Sequence, residues 1–161
     1  PQNKENILMD FQTHKEICKF MASFLPLHKG KIHEPTKGEG NLVKELTCHG
    51  TVIAPSDFFI MKKQRFDWIV MNPPFSPMKV GYEILYDCME MSDNIIALMP
   101  WLTIINSERR TNDIISFGLK SITHLPRNIF KGSRVQTCIL EMKKGCKETQ
   151  FKTLHNKWRT S

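Results

Sequence analysis

Four consecutive residues, Asn72-Pro73-Pro74-Phe75, combine residue types that could do chemistry. Each proline fixes its own φ and pushes the residue before it toward extended backbone, so the pair makes a stiff loop without a helix or a sheet ladder. A stiff loop can aim acceptors. The side-chain oxygen of Asn72 and the backbone carbonyl of Pro73 form an acceptor pair for both hydrogens of an exocyclic amine. Holding them would favour lone-pair density on nitrogen as it attacks a sulfonium methyl, and would align it for in-line transfer. Phe75 adds a face on which a base can stack, worth about 1–3 kcal/mol. The plainer alternative is a proline-rich turn with a core phenylalanine.

A second candidate lies upstream. In Glu34-Pro35-Thr36-Lys37-Gly38-Glu39-Gly40 the glycines let the backbone approach a ligand, although any tight strand-to-helix turn can use glycine. Together, and in this order, the two segments resemble the S-adenosylmethionine-dependent N6-adenine DNA methyltransferases, whose superfamily signature is Asp/Asn/Ser-Pro-Pro-Tyr/Phe. The resemblance covers most of residues 11–142. It implies S-adenosylmethionine as cofactor, Asn72, Pro73, Pro74 and Phe75 as the catalytic loop, and an acid-Pro-x-x-Gly-x-Gly cofactor turn using Glu34, Pro35, Gly38 and Gly40. There Glu34 would meet the methionine ammonium.

The resemblance extends to three further places. Thr13, in Phe11-Gln12-Thr13, corresponds to a contact to the cofactor carboxylate; the same residue reads as a helix cap, and a helix N-terminus binds anions, so the roles can coexist. Asp57 and Phe58, in Ser56-Asp57-Phe58-Phe59, correspond to contacts with the cofactor adenine; a solvated strand-end Asp is the alternative. Phe130, in Asn128-Ile129-Phe130-Lys131-Gly132-Ser133-Arg134-Val135, corresponds to an aromatic that holds a flipped target base opposite Phe75, since a duplex base must leave the stack to react. A core phenylalanine is the alternative.

The reaction so implied is transfer of a methyl group to N6 of adenine in DNA, without metal or covalent intermediate. The same acceptor loop would serve an RNA base amine or a protein glutamine amide. From another class comes a degenerate subunit that docks nucleic acid or a catalytic partner without chemistry.

The elements that must position these residues follow from hydrophobic spacing. Thr13 and Glu16 fit a capping box for a helix over 13–25, with Ile17, Phe20, Met21, Phe24 and Leu25 on one face and Pro26 beyond its end. Residues 31–34 predict a strand, 41–46 a helix and 51–54 a strand. The run 66–71 is nearly all apolar, as in a strand buried on both faces of a parallel sheet. Val80, Ile84, Leu85 and Cys88 predict a helix over 78–91. A buried strand at 94–99, a helix over 107–117 opened by Ser107 and closed by Gly118, and strands at 119–125 and 135–142 complete the pattern. The last two strands are joined by about nine residues, too short for a usual crossover, so the final strand should be antiparallel.

This alternation predicts an α/β domain with a Rossmann-like, mostly parallel sheet. Between Gly40 and Asp57 there is room for one helix and one strand, where the family's fold has two strand units. Ribose recognition would then fall to Glu45 or Asp57. Residues 1–11 read as an arm and 145–161 as a basic tail with Leu154 and Trp158 as anchors. The whole of 1–161 is expected to be one methyltransferase domain without a target-recognition domain. Specificity would come from loops, a specificity subunit or a second protomer.

At 161 residues and 40% hydrophobic content the chain can fill one core. Its 23 Lys plus Arg against 16 Asp plus Glu give a net charge of +7, which favours a polyanionic partner such as DNA. Lys79, Arg109, Arg110, Lys131 and Arg134 lie near the candidate loops and are potential phosphate contacts. Five cysteines without a CxxC pair read as reduced thiols and not as a disulfide framework or zinc site. No apolar run approaches the roughly 20 residues of a membrane span, and no signal pattern opens the chain, so a cytoplasmic protein is expected.

Overall fold

The computed structural model describes residues 14–27, 30–36, 40–55, 64–74, 76–127 and 135–154. Among the described residues seven strands form one sheet: β1 (Lys31–His33), β2 (Thr51–Ile53), β3 (Trp68–Met71), β4 (Asn94–Pro100), β5 (Leu119–His124), β6 (Thr137–Lys143) and β7 (Gln150–Thr153). Their spatial order is β2-β1-β3-β4-β6-β5-β7. Strand β6 runs antiparallel between β4 and β5, and the other neighbouring pairs are parallel. The expected antiparallel strand is therefore present.

Alternation along the central strands sorts the core into two layers. Ile69, Met71, Ile95, Ala97 and Met99 face one cluster, which is closed by α3 (Met78–Met91) through Ile84, Leu85 and Cys88 and by α5 (Glu108–Phe117) through Ile114. Val70, Ile96 and Leu98 face the other, closed by α1 (Lys15–Ala22) through Ile17, Cys18 and Met21 and by α2 (Asn41–Leu46) through Leu42 and Leu46. Because both faces are covered, β3 and β4 read as continuous apolar runs. A short helix, α4 (Leu102–Ile105), follows β4.

Several expectations shift. The first helix occupies Lys15–Ala22, not 13–25, and its N-cap is His14, whose Nδ1 accepts from the Glu16 amide at 3.2 Å. The cap is thus an imidazole, and Thr13 lies outside the described residues. The tail expected from residue 145 contains β7, an edge strand parallel to β5. Leu154 packs against the second cluster and its amide donates to the His124 carbonyl, so it anchors as expected, whereas Trp158 lies outside the described residues. On the other edge β2 is outermost; residues 56–63 lie outside the described residues. Among the described residues no helix is long and apolar enough to cross a membrane.

Candidate active site

Strand β1 lies between β2 and β3, so the chain moves to one side of β1 for β2 and to the other for β3. That reversal falls at the carboxyl ends of β1 and β3, where open α/β sheets place their ligands. The register pairs Ile32 with Trp68 and His33 with Ile69. Glu34-Pro35-Thr36 and Asn72-Pro73-Pro74 therefore leave the sheet side by side.

Their contact is direct. Glu34 is fully buried, and its Oε1 accepts from the Thr36 amide at 2.9 Å and the Thr36 hydroxyl at 2.6 Å. A carboxylate is tolerated in such a place when hydrogen bonds replace its water. The Thr36 hydroxyl oxygen accepts in turn from the Asn72 backbone amide at 2.8 Å. Asn72 is half-buried, Pro73 buried and Pro74 exposed, so the loop passes from the core to the surface.

Helix α3 supports this loop from below. It starts after Pro77, preceded by a cis Ser76–Pro77 peptide, and brings the buried Gly81 against the prolines. A Cβ on Gly81 would stand 3.3 Å from the Pro74 carbonyl oxygen and 3.4 Å from Pro73 Cγ. Glycine at this position permits the close approach.

Gly40 closes the first turn with φ +86°, a left-handed conformation that favours glycine, and serves as N-cap of α2. A Cβ there would meet nothing within 4 Å, so its backbone borders open space. The two segments thus meet through one hydroxyl at the carboxyl ends of β1 and β3.

At the end of β1, burial holds His33 below the usual histidine range, opposed by its Nδ1 contact to the Ile53 carbonyl at 3.1 Å. The ring stacks on Phe66, with centroids 4.4 Å apart. Neither contact carried a sequence signal, because both partners are remote in the chain.

Of the sequence-selected residues, Glu34, Pro35, Asn72, Pro73 and Pro74 come together at the carboxyl ends of β1 and β3, and Gly40 opens α2. Thr13, Gly38, Asp57, Phe58, Phe75, Phe130, Lys131 and Arg134 lie outside the described residues. Glu45 is half-buried on α2. Lys79 and Arg109 are exposed. Arg110 differs from them. Its Nε donates to the Thr103 carbonyl at 2.8 Å, its Nη2 to the Leu102 carbonyl at 3.1 Å, and its guanidinium lies 3.7 Å from the Tyr82 ring centroid. The expected phosphate contact is thus committed to bracing α4 against α5 and α3. Thr36 was missed as a site residue, since a lone threonine in a glycine turn gives no pattern.

The chain matches no protein-family model, and no curated protein matches it in sequence. Its structure is similar to a modification subunit ascribed to a type I restriction enzyme from Vibrio vulnificus, with a TM-score of 0.73 at 16% identity over 92% of this chain and 48% of that one. The type I restriction-modification methyltransferase subunit from Streptococcus thermophilus matches with a TM-score of 0.72 at 13% identity over 89% and 47%. A dimethyladenosine transferase from Plasmodium falciparum matches at 0.65 and 14% identity over 82% and 62%. The chain spans about half the length of the two restriction-modification subunits. The fold is the Rossmann-like fold of S-adenosylmethionine-dependent methyltransferases.

Proposed function

We propose that this chain is the catalytic unit of an S-adenosylmethionine-dependent methyltransferase acting on N6 of adenine in DNA. One observation carries the reading: Asn72-Pro73-Pro74 leaves β3 in hydrogen-bond contact with the Glu34-Pro35-Thr36 turn at the carboxyl ends of β1 and β3. An amine-acceptor loop and an acidic turn suited to the cofactor thus share one site, on a methyltransferase fold.

Glu34 and the backbone at Gly40 would hold the methionine end of the cofactor, which supplies an electrophilic sulfonium methyl. Asn72 and the Pro73 carbonyl would accept the two amine hydrogens and orient the nitrogen for in-line attack. Asp57 and Phe58 are proposed for the cofactor adenine, Thr13 for its carboxylate, and Phe75 with Phe130 for the target base. Lys79, Arg109, Lys131 and Arg134 supply candidate phosphate contacts, and the net charge of +7 supports a polyanionic substrate. Base specificity is assigned to a specificity subunit, a second protomer or further chain, in keeping with similarity to subunits of restriction-modification enzymes. We place the protein in the cytoplasm.

The similarity to a structure described as an RNA methyltransferase from Pyrococcus horikoshii, with a TM-score of 0.55 at 15% identity over 80% of this chain and 81% of that one, favours an RNA base as the second reading. Methyl incorporation from labelled S-adenosylmethionine, compared across duplex DNA, RNA and glutamine-containing peptide, tests both. DNA labelling with N6-methyladenine as product is expected. Labelling of RNA alone selects the second reading, and labelling of peptide alone or of nothing rejects both.

A further inference from the structure

Pro73 and Pro74 carry no N–H, so Asn72 supplies the sole backbone donor of the Asn72–Pro74 segment. That donor goes to Thr36. We propose that Thr36 is a positioning residue for methyl transfer, whose hydroxyl, oriented by Glu34, fixes the backbone from which both amine acceptors project; this rests on the methyltransferase reading above.

The polarity of the chain of contacts follows from the groups. A carboxylate only accepts and a backbone amide only donates, whereas a hydroxyl has one proton and two lone pairs. With its proton given to Glu34 Oε1 at 2.6 Å, the hydroxyl of Thr36 presents lone pairs to the Asn72 amide at 2.8 Å. The bond to the carboxylate is charge-assisted and holds the rotamer. The Thr36 amide binds the same Glu34 oxygen at 2.9 Å, so the hydroxyl and its own backbone are tied to one point. The turn suited to the cofactor and the acceptor loop thereby move as one piece. A valine, equal in shape, would present a methyl to both Glu34 and the Asn72 amide.

Three variants test the role: Thr36→Val removes the hydroxyl at constant shape, Thr36→Ser restores it, and Thr36→Ala removes it without pressing a methyl on the amide. In Thr36→Val we expect kcat to fall about 10- to 100-fold, the cost of misplaced reacting groups. The Kd for S-adenosylmethionine and the acceptor KM should move less than about fivefold, and the Asn72 amide should exchange with deuterium about tenfold faster, both within the range of one hydrogen bond. Thr36→Ser should recover most of the rate and the protection. If Thr36→Val does not fold, Thr36→Ala carries the same comparison. Wild-type kcat in the hydroxyl-free variant, or a serine variant as slow as it, overturns the proposal. If wild-type protein neither binds the cofactor nor transfers methyl, the proposed function fails, and amide exchange still decides the role of Thr36: unchanged exchange at Asn72 overturns it.

Discussion

Gly81, in the first half of α3, lies so close to Pro74 that an added Cβ would stand 3.3 Å from the proline's carbonyl oxygen. Helix and loop are in contact because this position has no side chain. Two effects compete in Gly81→Ala: alanine improves helix propensity by about 1 kcal/mol, while the methyl pushes on a loop that two prolines make stiff. We expect a melting temperature within about 5 °C of wild type, since these terms nearly offset. Methyl transfer should fall about tenfold or more, because the displaced residues belong to the proposed acceptor loop. Transfer at the wild-type rate would show that the loop yields without consequence.

His33 should make stability depend on pH. Burial lowers its pKa in the folded state, whereas the unfolded chain takes up the proton near the ordinary 6.5. Below that value the unfolded state binds more protons, so stability is complete above it and declines as pH falls toward the lowered folded value. One such group contributes a slope of at most about 1.4 kcal/mol per pH unit. Thermal melts between pH 7.5 and 5 should show this decline, and His33→Gln should flatten it. A parallel decline in both proteins would assign the effect elsewhere.

Arg109 and Arg110 are neighbours with different expected roles. Arg110→Ala leaves the Leu102 and Thr103 carbonyls without these donors and the Tyr82 ring without its cation, which should lower stability by about 1–3 kcal/mol. Arg109 is exposed, so its alanine variant should change stability by less than about 0.5 kcal/mol. It should weaken DNA binding across sequences and reduce the slope of log affinity against log salt by about one. Denaturant melts and salt-dependent binding separate the two; equal effects in both assays would contradict the division.

The cysteines should divide by burial. Burial pushes Cys18 and Cys138 up to about 12, and Cys88 is raised as well. Because the thiolate is the nucleophile, these three should resist alkylation in the native protein. Cys48 is exposed and Cys146 half-buried, so both should react. Mass spectrometry after brief iodoacetamide treatment should find label at Cys48 and Cys146, and at all five after denaturation. Native labelling of Cys18 would contradict the packing of α1.

Legibility followed the physics that formed each element. Helix α3 was readable to its ends because Ile84, Leu85 and Cys88 repeat at helical spacing on a buried face. The run Ile69-Val70-Met71 identified a doubly covered strand. Strand β7 was not readable: Gln150–Thr153 has one apolar residue, Phe151, which is 66% exposed, and the strand is held by backbone pairing to β5. The four-residue α4 is too short for a periodic signal. At the site, the loop and the turn could be chosen from residue types, but the bridge through Thr36 joins residues 36 positions apart and depends on the register of β1 with β3.

Asn72→Ala provides the most direct measurement, as single-turnover methyl transfer to adenine-containing duplex DNA alongside calorimetric binding of S-adenosylmethionine. An acceptor loop at the carboxyl end of β3 predicts that the rate falls by at least about 10²-fold, as when one preorganised polar group is removed from a reacting centre, while the cofactor binds nearly as in wild type. A variant that transfers methyl at the wild-type rate would contradict it.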